Sequence, residues 1–348
     1  MSKPTKSEGW VANSLTSDPK SWHNSSLVSV SQISSSGLRL LCSSAASMRA
    51  LVRAEGGDDR LKHRILSTVF YEPSTRTSCS FQTAMLRLGG TFVHVDGGKG
   101  GNTSAAGKGE SLDDTIACLQ CYTDATVLRH PLKGSVPSVA AKSSKPVLSA
   151  GDGVGEHPTQ ALLDLFTIWD ELGLGSDPPP SDEPIVIVLL GDLKHGRTVH
   201  SLAKLLSTSC TGRPVILRYC SPPSLKMPEY VKEYVANAST TDHVTQEETD
   251  DVQSALEDAS VLYVTRLQKE RFEDEEEYLS LKDSYIINQS LLSDAKAPSN
   301  MVIMHPLPRV NEISTDVDDD SRAAYFRQME NGMFVRMALL SLILLGQA

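Results

Sequence analysis

The sequence has no apolar run of the roughly 18 residues that would cross a bilayer, and its first residues lack the apolar core of a secretory signal. Both absences argue against a helical membrane protein and predict a soluble, cytoplasmic one. Cysteine is sparse: six residues lie far apart except for Cys118 and Cys121, with no second close pair to complete a zinc site, so reduced thiols are expected. Positive charge is in deficit as well, with 33 basic against 43 acidic residues and a net charge of -10. That balance excludes a general nucleic-acid or anionic-membrane surface, so any anion site must be local.

What is present is 348 residues, 40% hydrophobic and 22% charged, enough for two domains of ordinary size. Strand-like apolar runs alternate with helical patterns: "ILSTVF", "TFVHVD", "ATVLRH" and "PVLSA" in the first half, then "PIVIVLL", "PVILRYC", "VLYVT", "SYIIN" and "MVIMH". This alternation predicts an α/β protein of two domains, each a parallel β-sheet flanked by helices and joined by interdomain helices. The expected boundaries are a flexible polar extension over 1–26, a first domain of 27–156 plus 322–348, a connecting helix over 157–175 and a second domain over 176–321. The Ser-rich extension contains Glu8 and Asp18 and has no Arg before Arg39, so organellar targeting is open but not favoured. "HPTQALLDLFTIWDELG" reads as an amphipathic helix and "LGSDPPPSDEP" as a loop. "EDEEEY" reads as a solvated acidic helix surface, and the apolar C-terminal helix as too short for a membrane span.

Polar signatures follow the strands: "STRT", "DGGKGGNTSAAGKGES", "RHP" and "GDGVGEHPTQ" in the first half, "GDLKHGRT", "TRLQKER" and "HPLPR" in the second. Open parallel sheets bind ligands beyond the carboxyl ends of their strands, so the pattern predicts one cleft lined by both domains.

Ser74, Thr75, Arg76 and Thr77 lie where a strand becomes a helix. They offer hydroxyls, a guanidinium fork and the unpartnered N–H groups of a helix start, which together make a phosphate cradle; a plain helix cap is the competing reading. Arg129 and His130 end a strand aimed at the same edge. Ser104 and Lys108 occupy a glycine-rich loop that either closes over an anion or is a solvated connection. His157 and Gln160 stand one helical turn apart, as site residues or with His157 as a capping or core histidine. "GDLKHGRT" nearly matches the P-loop pattern, with Arg197 at the lysine position, but no acidic strand accompanies it to hold magnesium. Arg197 and Arg266, with Gln268 two residues on, suit a pair of carboxylate clamps and hence a dicarboxylate.

These segments, in order from "FYEPSTRTSCSF" to "MHPLPRVNEIS" and the last helix, resemble the catalytic chains of the aspartate transcarbamoylase family from about Leu27 onward. The resemblance implies transfer of a carbamoyl group from carbamoyl phosphate to L-aspartate in pyrimidine synthesis, without cofactor or metal. It implies that Ser74, Thr75, Arg76 and Thr77 hold the phosphate, and that Thr77, Arg129 and His157 polarise the carbonyl. Gln160 and the backbone at Pro306 and Leu307 would hold the carbamoyl NH2, and Arg197, Arg266, Gln268 and Lys108 would bind aspartate. It further implies a homotrimer in which Ser104 and Lys108 act in the neighbouring subunit's site, with regulatory subunits or fused pyrimidine-pathway domains as further partners. An ornithine or other amino-acid carbamoyltransferase is the alternative, but the cysteine and "SMG" loop of the ornithine enzymes are absent, and two arginines would repel a cationic substrate. A non-catalytic subunit of the same fold is the other.

Overall fold

The computed structural model describes residues 14–98, 104, 108–175, 181–209, 212–238, 243–267, 276, 278–279 and 285–348. The chain forms two compact units, residues 1–163 with 331–348 and residues 164–330.

In the first unit, α1 (Ser35–Glu55) precedes β1 (Ile65–Phe70), α2 (Thr75–Arg87), β2 (Thr91–Asp96), α3 (Leu112–Tyr122), β3 (Ala125–His130), α4 (Ser135–Lys142) and β4 (Val147–Asp152). The strands pair in parallel in the order β2-β1-β3-β4. β3 and β4 read as near-continuous apolar runs because helices cover both faces of a parallel sheet. Edge strand β2 has no buried residue.

In the second unit, β5 (Ile185–Leu190), α6 (Arg197–Thr208), β6 (Val215–Cys220), α7 (Glu229–Ala238), β7 (Val244–Thr249), α8 (Val252–Leu256), β8 (Val261–Val264), α9 (Gln289–Asp294) and β9 (Val302–Met304) follow α5 (Pro158–Glu171). Their parallel order is β7-β6-β5-β8-β9. Val188, Leu190, Leu262, Val264 and Ile303 anchor a core that reaches Tyr325 at the start of α10 (Tyr325–Leu345).

Four expectations change. Residues 14–26 are no flexible extension: Leu15 and Trp22 are fully buried, the Trp22 Nε1 proton goes to the Thr16 carbonyl at 2.8 Å, and the Leu15 N–H to the Gln32 carbonyl at 2.8 Å. A Cβ on Gly37 would stand 2.2 Å from the Leu15 carbonyl oxygen, so α1 needs a glycine where this segment crosses it. "SYIIN" makes no strand; its described part contributes one bridge, Ile287 to Ile313, while the polar "VTQEET" is edge strand β7. Helix α5 is not amphipathic, because every residue from Pro158 to Trp169 is buried. Helix α10 is long and apolar enough to cross a membrane, yet 78% of its most apolar stretch is buried inside the protein, as a core helix requires. Glu276 is helical and exposed, and most of the acidic run and the centre of the proline-rich loop lie outside the described residues.

Candidate active site

Both sheets place the expected residues at a topological switch point. In the order β2-β1-β3-β4 the winding reverses between β1 and β3, where the following loops diverge and leave a crevice at the carboxyl edge. Arg76 follows β1 and Arg129 ends β3, paired in register with Phe70. In the second sheet the reversal lies between β5 and β8, which lead to Arg197 and Arg266.

The start of α2 bears on the choice between cap and cradle. Elsewhere Ser34, Ser111, Asp251 and Asn288 cap α1, α3, α8 and α9 with their side chains, and the Asp152 carboxylate caps α4 from a distance by accepting the Gly134 and Val136 N–H groups at 2.7 and 3.1 Å. Ser74 sits at the N-cap of α2 yet makes no side-chain cap bond; its hydroxyl instead accepts from the Arg129 guanidinium at 3.3 Å. The Ser78 N–H bonds back to the Ser74 carbonyl, so the N–H groups of Thr75, Arg76 and Thr77 precede the first intrahelical bond. They and the positive end of the helix dipole are offered to an anion.

Charge agrees. Arg129 Nε donates to Glu72 at 3.1 Å, and among the described residues Arg76 has neither hydrogen bond nor ion pair. Burial lowers the Arg76 pKa and the neighbouring Arg129 lowers it further. Of the two guanidiniums, Arg129 has a carboxylate partner and Arg76 has none among the described residues, and an arriving phosphate would relieve their repulsion. Thr77 is buried one position further into the helix.

β4, beside β3, leads through Asp152 to His157 and Gln160, both buried at the start of α5. The Gln160 N–H bonds to the His157 carbonyl at 3.1 Å, so one short turn fixes the spacing of imidazole and amide. Ser104 and Lys108 are helical and exposed, and among the described residues neither hydrogen-bonds to Arg76, Arg129 or His157.

In the second unit Gly191 ends β5 with φ +112°, and a Cβ there would meet the Thr265 carbonyl oxygen at 2.3 Å. Thr265 in turn bonds through N–H and hydroxyl to the Leu190 carbonyl at 2.8 and 2.9 Å. This close approach fixes the root of the Arg197 loop beside Arg266. The loop is no nucleotide cradle: the buried Asp192 carboxylate lies inside it and accepts the His195 N–H at 3.0 Å, where a P-loop would present amides to phosphate. Gln268 lies outside the described residues.

Pro306 and Leu307 follow β9, the strand beside β8. Proline has no N–H, and the Leu307 N–H is taken by His305 Nδ1 at 2.7 Å, so the polar groups left at this turn are carbonyls, the right sense for holding an NH2 group. Arg309 is committed to Asp318 and to the Tyr325 ring, 5.2 Å away, and ties the turn to α10. Sequence reasoning missed Glu72, Asp192, His305 and Glu312. Glu72 could have been noticed as the lone acid two residues before the hydroxyl cluster.

Residues 25–170 match the family model for the carbamoyl-P binding domain of aspartate/ornithine carbamoyltransferase, and residues 183–343 match that for its Asp/Orn binding domain. The aspartate carbamoyltransferase catalytic subunit of Thermoplasma volcanium is 44% identical over 92% of this chain and 98% of its own length. The multifunctional protein pyr1-3 of Dictyostelium discoideum is 51% identical over 91% of this chain, which spans 13% of that protein's length. Aspartate transcarbamoylase from Trypanosoma cruzi, solved in complex with carbamoyl phosphate, superposes with a TM-score of 0.85 at 40% identity, covering 93% of this chain and 97% of its own. With both domain models matched in order and whole-length catalytic subunits aligned end to end, the chain belongs to the aspartate/ornithine carbamoyltransferase family, among the catalytic chains of aspartate carbamoyltransferase.

Proposed function

We propose that this chain transfers the carbamoyl group of carbamoyl phosphate to the amine of L-aspartate, giving N-carbamoyl-L-aspartate and phosphate, an early step of de novo pyrimidine (UMP) synthesis. The observation that carries the reading is the start of α2, which makes no side-chain cap bond and brings Arg76, with no carboxylate partner among the described residues, near Arg129.

Attack of the amine on the carbonyl carbon builds negative charge on the carbonyl oxygen and then on the departing phosphate. Ser74, Thr75, Arg76, Thr77 and the amides of the helix start receive the phosphate. Thr77, Arg129 and His157 polarise the carbonyl, while Gln160 and the carbonyls of Pro306 and Leu307 hold the NH2. Arg197, Arg266 and Gln268 grip the two carboxylates of aspartate. Each well-placed donor to an oxyanion contributes about 3 to 4 kcal/mol, and alignment of two reactants about 7 to 11, so fixed charge and positioning suffice without a covalent nucleophile. The leaving phosphate is the base that takes the amine proton.

The assembly belongs to the same proposal: a homotrimer in which Ser104 and Lys108 serve the adjacent subunit's site, consistent with their exposure. So does residence in the cytoplasm, where the free thiols of Cys42, Cys79, Cys118, Cys121 and Cys220 would persist. The multifunctional relatives support fusion to further domains in a longer polypeptide.

Incubation with carbamoyl phosphate and either aspartate or ornithine, followed by detection of the ureido product, tests the reading. Product with aspartate is expected; product with ornithine alone would overturn the substrate, and none with either would overturn the function. Mixing dissociated Arg76→Ala and Lys108→Ala chains should restore about a quarter of wild-type activity, since random assembly leaves that share of shared sites intact. No recovery would sink the sharing.

A further inference from the structure

The turn after β9 holds Leu307 at φ +55°, a left-handed conformation that costs a residue with a Cβ of order 1 to 3 kcal/mol and persists only where surroundings over-determine it. Those surroundings are a buried chain of hydrogen bonds. The Leu307 N–H donates to His305 Nδ1 at 2.7 Å, and the other ring nitrogen lies 2.8 Å from Glu312 Oε1. A backbone N–H can only donate, so Nδ1 is the acceptor and the ring proton sits on Nε2, pointing at the carboxylate. The second Glu312 oxygen accepts the N–H groups of Val310 and Asn311 at 3.0 and 3.1 Å.

On the opposite side the His305 N–H donates to Gln328 Oε1 at 2.9 Å, Gln328 Nε2 donates to Asp164 at 2.6 Å, and the Tyr263 hydroxyl donates to the other Asp164 oxygen at 2.8 Å. Tyr263, Asp164 and Gln328 are fully buried and His305 is 1% exposed. Every hydrogen-bonding group of the imidazole is thus used, and neither ring nitrogen is left to meet a substrate.

We propose that His305 is a positioning residue: its neutral ring, oriented by Glu312, captures the Leu307 N–H and so aims the Pro306 and Leu307 carbonyls at the NH2 of carbamoyl phosphate. This rests on the carbamoyl-transfer reading. The chemical consequence is selectivity for a substrate that donates from an NH2 at this point, since an isosteric acetyl group would leave two desolvated carbonyls without a donor.

Asparagine places an amide oxygen near the Nδ1 position, and glutamine places one near Nε2. His305→Asn should therefore keep the capture of the Leu307 N–H and lose Glu312, whereas His305→Gln should do the reverse. The expected result is a KM for carbamoyl phosphate raised about tenfold or more in His305→Gln and within about threefold of wild type in His305→Asn, with the KM for aspartate unchanged in both. Equal effects of the two substitutions, or a parallel rise in both KM values, would overturn the proposal. Amide hydrogen exchange over residues 305–309 of the intact protein gives a readout independent of turnover. Leu307 should stay protected in wild type and His305→Asn and exchange about tenfold faster in His305→Gln; equal rates would overturn the positioning role. If wild type formed no ureido product, the functional reading would fall, and the exchange experiment would still decide whether His305 holds the turn.

Discussion

At the start of α2 the Arg76 guanidinium lies near Arg129 with no carboxylate partner among the described residues and a run of amides has no intrahelical acceptor, whereas beyond β9 the imidazole, carboxylate and amide of His305, Glu312 and Leu307 each have a partner. The first follows a strand at the switch point of its sheet and the second an edge strand of the other, and they handle polar groups in opposite ways. On the proposed reading the first holds charge in readiness for a ligand, at a cost that a bound anion would remove. The second consumes its polar groups internally to hold a backbone shape. On that reading, functional roles divide between groups that touch substrate and groups that aim those that do, and their hydrogen bonds separate them.

The largest effect should come from breaking the unsatisfied end. Arg76→Ala should cut kcat with carbamoyl phosphate and aspartate by about a thousandfold, as loss of an oxyanion donor does, while the melting temperature holds or rises because repulsion with Arg129 is relieved. Inorganic phosphate should raise the melting temperature of wild type and not of the variant; a variant that melts well below wild type would mean that Arg76 is structural. A middle-sized effect is expected at the helix start of the second unit, where Arg197→Lys keeps the charge and loses the fork. The KM for aspartate should rise roughly thirtyfold with that for carbamoyl phosphate little changed, and steady-state kinetics on both substrates will separate the two.

The smallest effect should appear at the satisfied end, as pH-dependent stability. Burial pushes the Glu312 carboxyl up, but the hydrogen bonds from His305 and the backbone outweigh it and hold the group below its ordinary value of 4.5. A carboxylate depressed in the folded state adds stability that is full above the unfolded value and is lost as pH falls through the folded one. Glu312→Gln should therefore flatten the loss of urea resistance as pH falls below about 5.5. Denaturation curves that fall in parallel for the two proteins over that range would remove Glu312 from the account.

The comparison also explains what could be read in advance. Strands β1, β3, β5 and β8 were legible because strands inside a parallel sheet are rich in apolar residues, and the hydroxyls and arginines after them stood out as a polar cluster following an apolar run. Edge strand β7 escaped because one row of hydrogen bonds asks little of its side chains, and "SYIIN" misled because an apolar run does not name its partner. Trp22 and Leu15 sit in a serine-rich stretch whose burial depends on α1, which no local pattern announces. His305 was hidden for a different reason. Its role follows from a positive φ two residues away, and composition carries no trace of a backbone angle.

The same N-terminal stretch meets the other end of the chain. The Asn24 N–H bonds to the Ile343 carbonyl at 2.9 Å, and a Cβ on Gly346 would stand 3.1 Å from His23. Residues more than three hundred positions apart thus form one seam. Residues 14–26 and the end of α10 hold each other in place within the first unit, so that loosening either would expose the other.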